Sequence, residues 1–278
     1  MQRLSSEKAD SKYLFVFGDS YTATGFNSYG AKPSHENPIG NPDLPGLTSS
    51  GGLNWPGYLA TEFNKSMIYA YVLAVGGATV DSSIVPSFAP SVSDQVRLWT
   101  QHLGPKPAYA PWTTEHALFA IWIGVNDIGN SYMLPTERIL LKQDLDRLFV
   151  LLGSLYASGA RNFVVLNVPP TQSTPRMKAL ANITQLGSAI ALWNSQLPAL
   201  VARFKSDNRE ANFTLVDVQP TWHAILSDPK RYGAPDADCA NLDGKSCLWH
   251  DDYHPGLAIH RAVANTVAET LRDSFFLV

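Results

Sequence analysis

The chain has 278 residues, 45% of them hydrophobic and 16% charged, with 21 Lys and Arg against 24 Asp and Glu. That is a globular balance on a length that can bury one sizeable core, and it excludes disorder and a coiled coil. A formal charge of −3 gives no attraction for nucleic acid or an anionic membrane, and no apolar run approaches the roughly 20 residues of a bilayer span, so the expected partner is a small neutral molecule.

Residues 1–12 are polar, lack the apolar stretch of a signal peptide, and are expected to form a flexible segment ahead of a single domain over 13–278. Residues 13–17 are aromatic and β-branched and end at Gly18, the pattern of a fully buried strand. A long loop rich in Gly, Pro, Ser and Asn follows over 27–57 and is expected to form part of a binding cleft. Further strands are predicted over 67–75, 118–124, 162–168 and 213–218, and helices over 56–63, 93–102, 136–158, 183–205 and 256–274, the latter from apolar spacing near 3.6 residues. Strand and helix alternate, which requires crossover connections. The predicted architecture is therefore an α/β/α sandwich of three layers around a central, mainly five-stranded parallel sheet. In such sheets function gathers at the carboxyl ends of the strands.

Four segments stand at those ends. Phe17-Gly18-Asp19-Ser20-Tyr21 places a serine where the first strand gives way to a turn, a position that also suits a helix cap. Gly76-Gly77-Ala78 after strand two presents backbone N–H groups without a Cβ to block them. Gly124-Val125-Asn126-Asp127 after strand three offers an asparagine amide. His250-Asp251-Asp252-Tyr253-His254-Pro255 sets an acid three residues before a base, and Pro255 holds His254 out of the helix that follows. His250 and Asp252 are rivals for the two roles, with spacing favouring Asp251 and His254. Asp19, Asp127, Asp252 and His250 are conceivable metal ligands, but no close pair of His or Cys supports a metal site, and neither metal nor cofactor is expected. His35, His102, His116, His223 and His260 read as surface or core histidines.

Taken together and in this order, Gly18-Asp19-Ser20, Gly77, Gly124-Val125-Asn126-Asp127 and Asp251-Asp252-Tyr253-His254-Pro255 resemble the four blocks of the SGNH or GDSL hydrolases. The resemblance implies a flavodoxin-like sandwich and a serine esterase. Ser20 would be the nucleophile, His254 its base and Asp251 the group orienting the base. An oxyanion hole would be formed by the Ser20 and Gly77 amides and the Asn126 side chain. Gly76 is the alternative to Gly77, and a Ser–His pair is the alternative to a triad. Two departures stand out. Tyr21 replaces the leucine that follows the serine, and Val72 replaces an asparagine before the second block, leaving open which donor supports the turn at Gly77. In overall pattern the chain looks like the fungal secreted acetyl esterases of carbohydrate esterase family 16, which implies deacetylation of xylo-oligosaccharides. The alternatives are a lipase or phospholipase and an inactive carbohydrate-binding protein.

Trp55, Trp249 and Tyr253 are candidates for contact with a sugar ring, with Asp19 beside them or bonding the turn amides; Trp122 reads as core. Cys239 and Cys247, the only cysteines, bracket a short polar loop and suggest a disulfide, with free thiols as the alternative. That pair and the sequons at Asn64, Asn182 and Asn212 point to a secreted glycoprotein, expected to be a monomer.

Overall fold

The computed structural model describes residues 11–272 and residue 275. Residues 1–10 of the expected flexible segment, and Asp273 and Ser274 of the last predicted helix, lie outside the described residues.

Five strands form one sheet: β1 (Lys12–Gly18), β2 (Ile68–Val72), β3 (Ala117–Trp122), β4 (Asn162–Leu166) and β5 (Asn212–Val216). Every pairing is parallel, and the order is β2-β1-β3-β4-β5. Leu14, Phe15, Val16 and Phe17 are all buried, as are all six residues of β3, because helices cover both faces and no side of these central strands meets water. The helices are α1 (Trp55–Thr61), α2 (Val92–His102), α3 (Val125–Ser131), α4 (Glu137–Ala157), α5 (Pro175–Lys178), α6 (Ile183–Asp207), α7 (Gln219–Ser227) and α8 (Leu257–Thr270). Contacts of α1 with α8 and of α8 with α7 make one outer layer; α4, touching α2, α3 and α6, organises the other. Phe15 anchors the core on the α2 side, its ring 5.1–5.8 Å from those of Trp99, Trp112 and Phe119.

The predicted strands after the first overran their carboxyl ends by two or three residues. Leu73, Ala74, Val168 and Val218 are buried without belonging to the ladder, so the apolar signal reported burial rather than pairing. Three helices were not foreseen, one of them the single turn α5. In α3 the weak helix formers Asn126, Gly129 and Asn130 mask the helix, and in α7 Pro220 reads as a breaker although it occupies the first turn, where its missing N–H costs nothing. The start of α2 is fixed by a capping box in which Ser91 and Asp94 each bond the other's backbone N–H.

The long loop behaves differently from expectation over most of its length. The Ala70 amide of edge strand β2 donates to the Pro38 carbonyl at 2.8 Å, so this stretch covers the open edge of the sheet. Asn41 braces it by donating to the Asn27 and Ala31 carbonyls. Only its later part reaches toward Ser20, whose carbonyl accepts from the Ser49 hydroxyl at 2.7 Å.

Cys239 and Cys247 are joined in a disulfide, with Cα atoms 5.1 Å apart. The bond closes a loop directly before the Asp251 segment. In the chain-entropy picture such a loop stabilises by about 2.5 kcal/mol, so the double variant Cys239→Ala/Cys247→Ala is expected to melt roughly 5 °C lower or more in thermal unfolding. An unchanged melting temperature would show that the loop is held by its hydrogen bonds alone.

Candidate active site

Because β1 lies between β2 and β3, the turns that leave these strands are neighbours in space although far apart in sequence. Gly18 sits at the junction. A Cβ there would lie 2.3 Å from the Trp122 carbonyl oxygen, so only glycine allows β1 and β3 to stay in register up to the turn. Its amide donates to the Gln95 side chain at 2.9 Å, and its carbonyl accepts from the same side chain at 2.8 Å. This two-point clamp from α2 fixes the turn that carries Ser20. Nothing in the sequence pattern marks Gln95.

Ser20 Oγ lies 2.9 Å from His254 Nε2, and His254 Nδ1 lies 2.8 Å from Asp251 Oδ2 and 3.0 Å from Oδ1. Asp251 Oδ1 also accepts the Tyr253 and His254 backbone amides at 2.8 and 2.7 Å. Partial burial works to raise the Asp251 carboxyl, but these amide and imidazole hydrogen bonds outweigh it and hold the group below its ordinary value, as a carboxylate. The rivals are placed elsewhere. Asp252 is exposed and pairs with Arg176 at 2.9 Å, while the His250 amide ties the segment together by donating to the His254 carbonyl at 2.8 Å.

Tyr21 replaces an aliphatic residue with a wholly buried ring under the histidine. Its centroid is 5.8 Å from that of His254, in an edge-on arrangement, and its hydroxyl donates to the Tyr253 carbonyl at 2.7 Å. The residue after the serine thus ties the serine turn to the histidine segment.

Opposite the histidine stand Gly77 and Asn126. Gly77 has φ +80°, a left-handed conformation that favours glycine, and among the described residues neither its amide nor that of Ser20 donates a hydrogen bond. Gly76 lies closer to the serine, with its Cβ direction 3.7 Å from Ser20 Cβ. Asn126, in the first turn of α3, donates to the Ala78 carbonyl at 2.9 Å. The support lost with Val72 comes from other residues, since the Ser87 hydroxyl donates to the Gly77 carbonyl at 2.7 Å and Asp127 Oδ1 accepts the Val80 amide at 2.8 Å.

Two sequence expectations for substrate contact, Trp55 and Trp249, are corrected, and of the two readings of Asp19 the structural one holds. Trp55 and Trp249 are fully buried, and their indole N–H groups donate to Thr22 Oγ1 and the Ala237 carbonyl, so neither offers a face to a ligand. Asp19 is also buried and accepts the Tyr21 amide; it holds the turn from inside. Tyr253 stays at the site, half-buried, its ring perpendicular to His254 and covered by Arg176. Trp122 is core, with its N–H bonded to the Asn167 carbonyl. His260 is buried behind the segment, its desolvation pushing it down to about 3, so it stays neutral. Among the described residues, no group of three or more His, Cys, Asp or Glu converges in a way that could hold a metal ion. Of the sequon asparagines, Asn212 is exposed and Asn64 and Asn182 are partly so.

A family model for GDSL-like lipases and acylhydrolases matches residues 14–267. The chain belongs to this GDSL-like family. An acetylesterase of Thermothelomyces thermophilus is 48% identical over 95% of this chain and 90% of its own length, and an acetylesterase of Hypocrea jecorina is 26% identical over 92% and 87%. In fold, an acetylxylan esterase of Geobacillus stearothermophilus overlays with a TM-score of 0.50 at 17% identity, covering 94% of each chain. The GDSL-like chain is accordingly a carboxylic ester hydrolase on a five-stranded, all-parallel α/β fold. Among its described residues no helix is long and apolar enough to cross a membrane.

Behind the Gly77 and Asn126 side of this GDSL-like site lies a set of buried acids. Burial, only partly offset by the Tyr21 amide, pushes Asp19 up to about 7. Asp127 and Asp144 are fully buried neighbours; burial raises both, and the Asp127 charge raises Asp144 further. Asp81, beside them, is partly buried, but bonds from Ser83, Ser93 and Arg147 draw it down to about 2. A carboxyl whose folded value is raised contributes stability that is complete at low pH and fades as pH climbs through that value. Melting temperature is therefore expected to fall between pH 5 and pH 9, and to fall less steeply in Asp144→Asn, which removes one of the raised carboxyls. Equal slopes in the two proteins would mean that Asp144 is ionised throughout.

Proposed function

We propose that the chain is a secreted acetylesterase that removes acetyl groups from small carbohydrates, with Ser20, His254 and Asp251 as its catalytic triad. The observation that carries the mechanism is the unbroken relay from the Ser20 hydroxyl through both nitrogens of His254 to a carboxylate held by two amides. The acetyl substrate is supported by the 48% identical acetylesterase, and the carbohydrate alcohol by the fold shared with an acetylxylan esterase. The disulfide fits an oxidising, extracellular setting.

In the proposed reaction His254 Nε2 takes the Ser20 proton as Oγ attacks the ester carbonyl carbon. The negative charge that develops on the carbonyl oxygen faces the Ser20 and Gly77 amides and the Asn126 amide group. Because these donors are fixed by β1, by the Ser87–Gly77 bond and by α3, they need little reorganisation as the charge forms. Collapse of the tetrahedral intermediate expels the alcohol, to which His254 returns the proton, and leaves acetyl-Ser20. Water, deprotonated by His254, then attacks the acyl carbonyl, releasing acetate and restoring the serine. Asp251 stabilises the imidazolium in both halves.

Initial rates on ethyl acetate, p-nitrophenyl acetate, butyrate and octanoate, and acetylated xylo-oligosaccharides test this reading. The wild type is expected to hydrolyse acetates and acetylated sugars and leave octanoate nearly untouched; rapid octanoate turnover would instead indicate a lipase. Ser20→Ala is expected to be inactive, and activity retained in it would refute the nucleophile. Removing the Asn126 donor in Asn126→Ala is expected to lower kcat by about 10² to 10³, the usual effect of one oxyanion donor. Asp251→Asn is expected to lower kcat with little change in KM, and near-normal turnover would reduce the triad to a Ser–His pair.

A further inference from the structure

Phe88 stands apart from the other aromatic side chains near the site. Its relative exposure is 112%, and among the described residues its ring meets no other ring. It is nonetheless firmly mounted. Ser87, the residue before it, donates its hydroxyl to the Gly77 carbonyl and accepts the Ala89 amide at 3.1 Å. Ala89, the residue after it, packs its Cβ 3.5 Å from the Cβ direction of Gly77. The rest of the loop is pinned as well. Thr79 Oγ1 donates to the Val85 carbonyl at 3.0 Å, and Asp81 at the loop's start bonds the Ser93 hydroxyl and Arg147 at 2.7 and 2.9 Å. An exposed ring whose two chain neighbours both rest on Gly77 is thus mounted on the segment that braces that turn.

We infer that Phe88 is the platform on which the sugar of the alcohol portion of the substrate stacks. The inference rests on the carbohydrate acetylesterase reading above. An acetyl group ends at one methyl, so any contact beyond the carbonyl must be made with the alcohol. A pyranose ring presents a face of C–H groups that suits the face of an aromatic ring, and covering both removes apolar surface from water. The buried Trp55 and Trp249 cannot do this, and Tyr253 is committed to His254 and Arg176. The loop between Gly77 and α2 would thus serve two ends, holding the oxyanion turn with Ser87 and the substrate with Phe88.

The test compares wild type, Phe88→Ala and Phe88→Trp on acetylated xylotriose and on ethyl acetate, whose alcohol is too small to reach the ring. Phe88→Ala is expected to raise KM for the xylotriose ester about ten-fold, the effect of ~1.4 kcal/mol, with kcat and ethyl acetate hydrolysis unchanged; Phe88→Trp is expected to restore KM. Calorimetric titration of Ser20→Ala with the same ester, with and without Phe88→Ala, should give the same ratio in Kd. A xylotriose KM within two-fold of wild type in Phe88→Ala would overturn the platform, as would an equal loss on ethyl acetate, which would mean that the turn had been disturbed. A wild type that hydrolyses ethyl acetate but not the xylotriose ester would overturn the carbohydrate reading itself, and the platform with it.

Discussion

Because β1 pairs in parallel with β2 on one side and β3 on the other, three turns that carry chemistry must leave the sheet side by side. The chain runs outward from β1 to β2 and then crosses back past β1 to β3, and this reversal opens the crevice at the carboxyl ends. Ser20, Gly77 and Asn126 each follow one of those strands within eight residues, so their separation in sequence says little about their separation in space. The histidine segment needs a different device, since it belongs to no strand. It is fastened by the Tyr21 hydroxyl, by the antiparallel bridge of Trp249 with Pro255, and by the packing of α8 against α1.

The site also depends on polar groups that no substrate touches. Gln95 satisfies both backbone groups of Gly18, Asp19 and Asp127 accept amides of the serine and glycine turns, and burial beside Asp127 raises Asp144. Burying so many acids is costly unless each finds a donor or gives up its charge. Here they do both, and the outcome is rigidity, because each turn is bonded from beneath to groups on α2, α3 or α4. Preorganised donors of this kind stabilise developing charge more effectively than mobile ones, since the energy of ordering them is spent in folding.

The sheet and the central pairing of Ser20, Asp251 and His254 could be read in the sequence because they leave local signals: apolar runs of strand length, a glycine at the end of the first three, and an acid three residues ahead of a base that precedes a proline. What escaped had no such signal or a misleading one. The helix α3 is written in Asn, Asp and Gly because its first turn faces the site, and function there overrode helix propensity. Gln95 and Ser87 are ordinary polar residues whose partners lie 77 and 10 positions away, a relation that only the fold creates. Trp55 and Trp249 misled for the opposite reason. They stand beside site segments in sequence, but their indoles point inward and their N–H groups are satisfied there. Phe88 went unremarked because a lone phenylalanine carries no signal until its exposure and its neighbours' bonds are seen.

These placements separate what sets the reaction from what sets the substrate. The proposed nucleophile and oxyanion donors follow strand ends, and the proposed base is tied to them by Tyr21, so that a change at any of them propagates into the core. Ser49, Phe88 and Arg176 approach the site from segments outside the sheet, with exposed or half-exposed side chains. On the proposed reading, a substitution at these positions changes the surface that an alcohol meets without disturbing the Gly18 clamp or the Asp251–His254 pair. Ser87 and Phe88 are adjacent yet fall on opposite sides of this division, one bonded to the oxyanion turn and the other facing solvent. A chain with this division can keep its chemistry while its preferred ester changes.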